Sequence, residues 1–111
     1  MTDIVTYREI LTRIRDYLGI YNDTRWRARV EEWLRELDDV KSSQALLTHL
    51  ERSQRATGGM GLLGDLTICP QNGHTIANDR MLISEASTGL WSLTSELYRV
   101  TADLMRQTSV A

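Results

Sequence analysis

The stretch that decides the fold is NDRMLISEASTGLWSLTSELYRVTADLMRQ, residues 78–107. Its apolar residues recur with a strict spacing of three and four, which places them on one face of an α-helix. Asn78 and Asp79 precede this pattern and are typical helix-capping residues. The stretch predicts one long C-terminal helix, which is more typical of a bundle's central helix than of a coiled coil. The apolar residues are Ile83, Ala86, Leu90, Leu93, Leu97, Val100 and Leu104.

A glycine interrupts this helical pattern at position 89. Glycine inside a helix costs roughly 1 kcal/mol relative to alanine. We therefore expect Gly89 either to allow another segment to pack closely or to mark a break near Ser87-Thr88.

Three shorter amphipathic patterns precede the long helix. Apolar residues at the same spacing predict a first helix over residues 3–18, a second over about 22–37 and a third over about 42–53. We therefore predict a mainly α fold, a small bundle of three to four helices with a long C-terminal helix. The length of 111 residues is typical of a single domain, spanning residues 1–111.

Residues 56–74, which we call the glycine segment, separate the third helix from the last. Five of the seven glycines lie here, together with the only proline and the only cysteine. Residues 66–69 alternate like a half-buried strand, and Asn72-Gly73 is the strongest short hairpin signal. We therefore predict a minor β-hairpin near residues 66–76, at an edge position because Pro70 cannot donate to a ladder.

Composition favours a protein of the cytoplasm. The net charge is −2, the single Cys69 has no internal disulfide partner, and the N-terminus lacks the apolar run of a signal peptide. No apolar stretch approaches the roughly 20 residues of a membrane span, so we expect no membrane association. The mild acidic charge disfavours nucleic acid as a partner.

The residues that could carry catalysis or bind a cofactor are few. Gly59 to Gly64 match G-x-G-x-x-G, but a dinucleotide site needs that motif between a strand and a helix, and here a helix precedes it. One cysteine and two scattered histidines fall short of a zinc site. Cys69 and His74 are not directly paired in the predicted hairpin. We therefore predict no catalytic residue, no metal and no cofactor, and the sequence favours a non-enzymatic role.

The function that the sequence favours is protein binding. We predict a non-enzymatic protein-binding module, most concretely a cytoplasmic inhibitor or immunity-type partner of another bacterial protein, such as a toxin or effector. Such inhibitors act by steric and electrostatic occlusion through a few central anchors. The candidate anchors are the acidic run of the second helix and the loop methionine: Glu31, Glu32, Glu36, Asp38, Asp39 and Met60.

Two alternatives remain open at this point. The first is a small-ligand-binding or catalytic protein that uses the glycine segment. Its residues would be Gly59, Gly61, Asp65, Asn72 and His74. The second is a homodimer formed through the heptad pattern of the C-terminal helix.

Part of the chain resembles a family of small bacterial domains of unknown function. The residues that carry the resemblance are Gly58-Gly59-Met60-Gly61, Asp65-Leu66 and Ile68-Cys69-Pro70-Gln71-Asn72-Gly73-His74. The family has a Gly-Gly-Met-Gly-Ser-x-Asn-Asp-Leu run, then a short strand, an Asn-Gly turn and a closing helix. The resemblance covers roughly residues 57–105, but Leu62 and Gly64 stand where the family prefers Ser and Asn. It implies a compact α-rich domain without established catalytic residues, and some proteins similar to this family look like immunity partners of bacterial toxins.

Overall fold

The computed structural model describes residues 3–58 and 62–110. Within them the chain forms four α-helices: α1 spans Ile4–Ile20, α2 Thr24–Asp38, α3 Ser43–Thr57 and α4 Arg80–Val110. Two single-turn 3-10 helices, Leu63–Asp65 and Pro70–Asn72, lie between α3 and α4. The predicted mainly α fold with a long C-terminal helix is confirmed. None of these described helices combines the length and apolar character needed to cross a membrane.

Each helix begins at a capping residue that the sequence supplies. An N-cap side chain satisfies an amide of the first turn that has no partner within the helix. Asp79 accepts a hydrogen bond from the amide of Leu82 at 3.0 Å, so α4 starts where the sequence predicts. The other three pairs follow the same pattern: Asp3 with the amide of Thr6, Asp23 with that of Trp26, and Ser42 with that of Ala45.

The core lies where α1, α3 and α4 pack together, with α2 on α1. Leu11, Ile14, Leu90 and Leu97 are among its fully buried side chains. With 31 residues, α4 is about 46 Å long. The whole molecule measures 49 × 22 × 21 Å, so α4 runs its entire length.

Gly89 is explained by close packing rather than by a helix break. A Cβ at this position would overlap the hydroxyl of Tyr17 on α1. That hydroxyl donates a hydrogen bond to the carbonyl of Ala86 at 2.8 Å, and burial raises the pKa of Tyr17 to about 12. The absence of a side chain at position 89 therefore lets α1 reach the backbone of α4.

The predicted hairpin over residues 66–76 is wrong, because no strand forms in the described residues. Pro70 begins a 3-10 turn, and Gly73 ends it with φ at 85°, in the left-handed region. The amide of His74 then bonds the carbonyl of Cys69 at 3.2 Å. The Asn-Gly pair therefore closes a compact loop instead of occupying the two central positions of a hairpin turn.

The hydrogen bonds that the predicted strands would have exchanged go to the helices. The amide of Ile68 donates to Oγ of Ser87 on α4 at 2.9 Å. The amide of Thr75 donates to the carbonyl of Tyr21, at the end of α1, also at 2.9 Å. The alternation of residues 66–69 thus reflects an extended segment with Ile68 buried against the helices.

The apolar residues of the glycine segment differ in their placement. Leu63 is fully buried in the core, and Leu62 is half-buried against it. Gly64 permits this arrangement, since a Cβ there would overlap the carbonyl oxygen of Thr57. Met60 lies outside the described residues.

Candidate functional site

The most unusual surface of the molecule is an uncharged face of α4. Met81, Trp91 and Tyr98 on this helix are 71%, 61% and 50% exposed, respectively. Single exposed apolar residues are ordinary, whereas several on one face indicate an interaction surface. These three follow the helical repeat, so they lie on one side of α4.

The exposed aromatic residues belong to a second set with the same spacing as the core set. Between positions 81 and 105, steps of three and four select residues that are all uncharged. Bulky and small side chains share this face, and its last two members are half-buried. We call it the second seam: Met81, Ser84, Thr88, Trp91, Ser95, Tyr98, Ala102 and Met105.

The glycine segment borders the second seam along one side. The Tyr98 ring packs on Gly58, where a Cβ would lie 3.3 Å from Cε2 of the ring. Further along, Trp91 and Thr88 line a groove together with Gly64 and Leu66. Gly58 therefore lies beside Tyr98, and residues 64–66 lie beside Trp91, on one side of the seam.

Three of the five predicted acidic anchors form ion pairs with residues of the same chain. Asp38 pairs with Arg8 of α1 at 2.6 Å. Glu31 pairs with Arg27 at 3.1 Å, one turn earlier on α2. These contacts neutralise two members of the run.

Glu36 is also paired within the chain. Its Oε2 lies 3.0 Å from Arg52 of α3 and 3.3 Å from Nδ1 of His49. Glu32 and Asp39 are exposed, and no ion pair among the described residues engages them. The structure therefore does not assemble the acidic run into one unpaired patch, and the other predicted anchor, Met60, lies outside the described residues.

His74, predicted for the small-ligand alternative, is buried with both ring nitrogens engaged. The amide of Cys69 donates to Nδ1 at 3.1 Å, so the ring proton lies on Nε2, which is 2.7 Å from Oδ2 of Asp23. Asp23 also caps α2 through its other oxygen. His74 therefore fastens the loop after Cys69 onto the start of α2.

The remaining residues predicted for a small ligand do not converge on His74. Asn72 is exposed and donates to the carbonyl of Thr67 at 2.8 Å. Asp65 is exposed and borders the groove beside Trp91. Gly59 and Gly61 lie outside the described residues. Within residues 3–58 and 62–110, no group of three or more His, Cys, Asp or Glu side chains is arranged to hold a metal ion.

A buried polar cluster between α1 and α3 was not predicted. The hydroxyl of Tyr7 donates to Oγ of Ser53 at 2.8 Å and lies 2.9 Å from Nε2 of His49. Burial lowers the pKa of His49, while the carboxylate of Glu36 acts in the opposite direction. Burial also raises the pKa of Tyr7. Tyr7, His49 and Ser53 are all buried, so their polar atoms bond one another within the core.

The second seam was also missed, although the sequence contains its signal. The same three-and-four spacing that reveals the core set recurs two residues out of phase, without a charged residue. Serine, threonine or alanine stands at four of its eight positions, so a search for large apolar residues passes over it. Comparison with protein-family models, with curated proteins and with solved structures gives no match.

Proposed function

We propose that this chain is a non-enzymatic protein-binding module that docks another polypeptide on the second seam of α4. The observation that carries the proposal is the pair of exposed aromatic residues, Trp91 and Tyr98, on a face without charge. Tryptophan and tyrosine are the residues most enriched among the energetic anchors of interfaces. Because no charge is desolvated on the seam itself, covering it costs little.

The shape of the seam suits a helix or an extended segment. Small residues at Ser84, Thr88 and Ser95 lie between the bulky ones, which leaves shallow recesses between ridges. Met81 can adjust its shape because its side chain is unbranched and flexible. Gly64 and Leu66 border the recess beside Thr88 and Trp91.

The specific form of the proposal is the cytoplasmic inhibitor or immunity-type partner of another bacterial protein. Binding to the seam would cover part of the partner protein's surface and block access to it. This steric occlusion needs no catalytic group in the inhibitor. The resemblance of residues 57–105 to the small bacterial domain family supports this form. The small-ligand alternative has less support, because His74 uses both ring nitrogens within the protein.

Site-specific photo-crosslinking in the native host tests this function. A photoreactive phenylalanine analogue at Ser95, in the seam, should capture a protein, whereas the same analogue at exposed Thr48 on α3 should not. Trp91→Ser should reduce the yield roughly tenfold or more, since it removes a central anchor. Because Trp91 is exposed, this variant should stay within about 0.5 kcal/mol of the parent in free energy of unfolding. Equal yields from both positions, or a yield insensitive to Trp91→Ser, would refute the proposal.

A further inference from the structure

We infer that the chain which covers the second seam is a second copy of this protein, packed with the two α4 helices antiparallel. The inference rests on the proposed docking role of the seam, and it names a second copy of this chain, in place of another bacterial protein, as the occupant in the isolated protein. Three independent features of the seam fit this occupant: its spacing, the sizes of its side chains and the charges on its flank.

The spacing of the seam reads the same in both directions. Its eight positions are separated by steps of three, four, three, four, three, four and three. An antiparallel copy turned about a twofold axis near position 93 therefore places every seam residue opposite another seam residue. A closed twofold contact of this kind uses the same surface on both chains.

The sizes of the side chains are complementary in that arrangement. Trp91 lies opposite Ser95 of the second copy, and Tyr98 lies opposite its Thr88. Large residues thus meet small ones, as knobs-into-holes packing requires. A parallel pair would instead place Trp91 against Trp91 and Ser95 against Ser95. The tryptophan layer would then be overpacked, and the serine layer would leave a void. The two outer layers of the antiparallel pair join Ser84 with Ala102 and Met81 with Met105.

The charges beside the seam also favour the antiparallel pair. The helix positions on one side of the seam, which we call the outer flank, include Glu85, Ser92 and Arg99. The positions on the other side face the interior of the same chain, where Thr94 and Thr101 are buried. An antiparallel arrangement brings the outer flank of each copy beside the same flank of the other. Glu85 of one copy then lies near Arg99 of the second copy, twice by symmetry.

The two charged residues of this flank are available for such a contact. Both Glu85 and Arg99 are exposed, and among the described residues no ion pair engages either one. They differ in this respect from Glu31 and Asp38 on α2, which pair within the chain. A heterologous protein that used the seam would have to displace the second copy, because both need Trp91.

Sedimentation equilibrium of the full chain and its charge variants tests this inference. The parent should approach twice its mass of 12.7 kDa as the concentration rises. Glu85→Arg or Arg99→Glu should raise the dissociation constant about tenfold, because each converts two attractive contacts to repulsive ones. The double variant should restore the parent value, and Glu51→Arg, an exposed reversal on α3, should leave it unchanged.

A parent that stays monomeric at millimolar concentration would overturn the inference, as would a dimer that is insensitive to the reversals. If a monomer still gives Trp91-dependent crosslinks from position 95 to a different protein, self-association fails and the proposed function stands. A monomer without such crosslinks overturns both.

Discussion

At the scale of single residues, the buried histidines and tyrosine have partners from distant parts of the chain, whereas the buried threonines bond carbonyls on their own helices. Tyr7 and His49 are separated by 42 positions and share a hydrogen bond within the core. No buried side-chain nitrogen or oxygen atom among the described residues lacks a hydrogen-bond partner. An unpaired buried polar group would cost about 1–3 kcal/mol, so each of these contacts matters for stability.

Burial of His49 makes the stability of the protein depend on pH. Its pKa is lowered in the folded state, so the unfolded chain binds more protons once the pH falls below about 6.5. The free energy of unfolding therefore has its full value above about pH 6.5. It decreases as the pH falls from there toward the pKa of His49 in the folded protein. The free energy of unfolding in urea should therefore decrease between pH 7 and pH 5, by no more than about 1.4 kcal/mol per pH unit from this group.

The variant His49→Gln separates this effect from other titrations. It should be less stable than the parent at pH 7, and its stability should change less steeply between pH 7 and pH 5. An identical slope in parent and variant would show that His49 does not titrate in the expected direction.

The contact between Tyr17 and Gly89 predicts an unusual effect of a helix-favouring substitution. Gly89→Ala should destabilise the protein by about 1–2 kcal/mol despite its better helix propensity, because the new methyl group displaces the Tyr17 hydroxyl from Ala86. In a Tyr17→Phe background the same change should cost about 1 kcal/mol less. Chemical unfolding of the four proteins gives this coupling, and a coupling near zero would contradict the packing described.

At the scale of elements, the segment between α3 and α4 is held in place by its contacts with helices. Asp23 and His74 fasten one end of the loop to α2, while Ile68 is bound to Ser87 of α4. A second pair, Asn22 with Thr75 at 2.8 Å, supports the first. Residues 68–75 are therefore held against the helices, although none of the described residues of the segment forms a strand.

Two N-cap aspartates allow a matched test of this fastening. Asp3→Asn should cost only a few tenths of a kcal/mol, since asparagine is an equally good cap. Asp23→Asn should cost about 1–3 kcal/mol, because the new amide leaves the Nε2 proton of His74 without its charged acceptor. Hydrogen exchange of the Cys69 and Thr75 amides should also accelerate in Asp23→Asn. Equal costs for the two variants would show that His74 does not fasten the loop.

The helices could be predicted from the sequence, whereas the path of the glycine segment could not. Periodic apolar residues and caps such as Asp79 act locally, so the sequence alone locates α1 to α4 within a few residues. Residues 66–76 have the local pattern of a hairpin, but their amides bond Ser87 and Tyr21, which are distant in sequence. A local pattern cannot distinguish a strand from an extended segment that packs on a helix.

At the scale of the whole molecule, α4 has two opposite uncharged faces. One is buried against α1 and α3, and the second seam is exposed from Met81 to Tyr98 and half-buried at Ala102 and Met105. The sequence predicted the buried face, because leucine and isoleucine stand out from their neighbours. The seam is less conspicuous, because serine, threonine or alanine stands at four of its eight positions. The acidic run of α2 is therefore the more prominent candidate in the sequence.

The most direct test of the central claim, that the second seam joins two copies antiparallel, is the distance between nitroxide labels in a Cys69→Ser background. Labels at Ser92, near the twofold axis, should show strong dipolar broadening. Labels at Gln107 should lie about 40 Å apart, since 28 residues of helix separate the paired positions at 1.5 Å each. Short distances at both positions would indicate a parallel pair, and the absence of dipolar coupling at both would show that the seam does not bind a second copy.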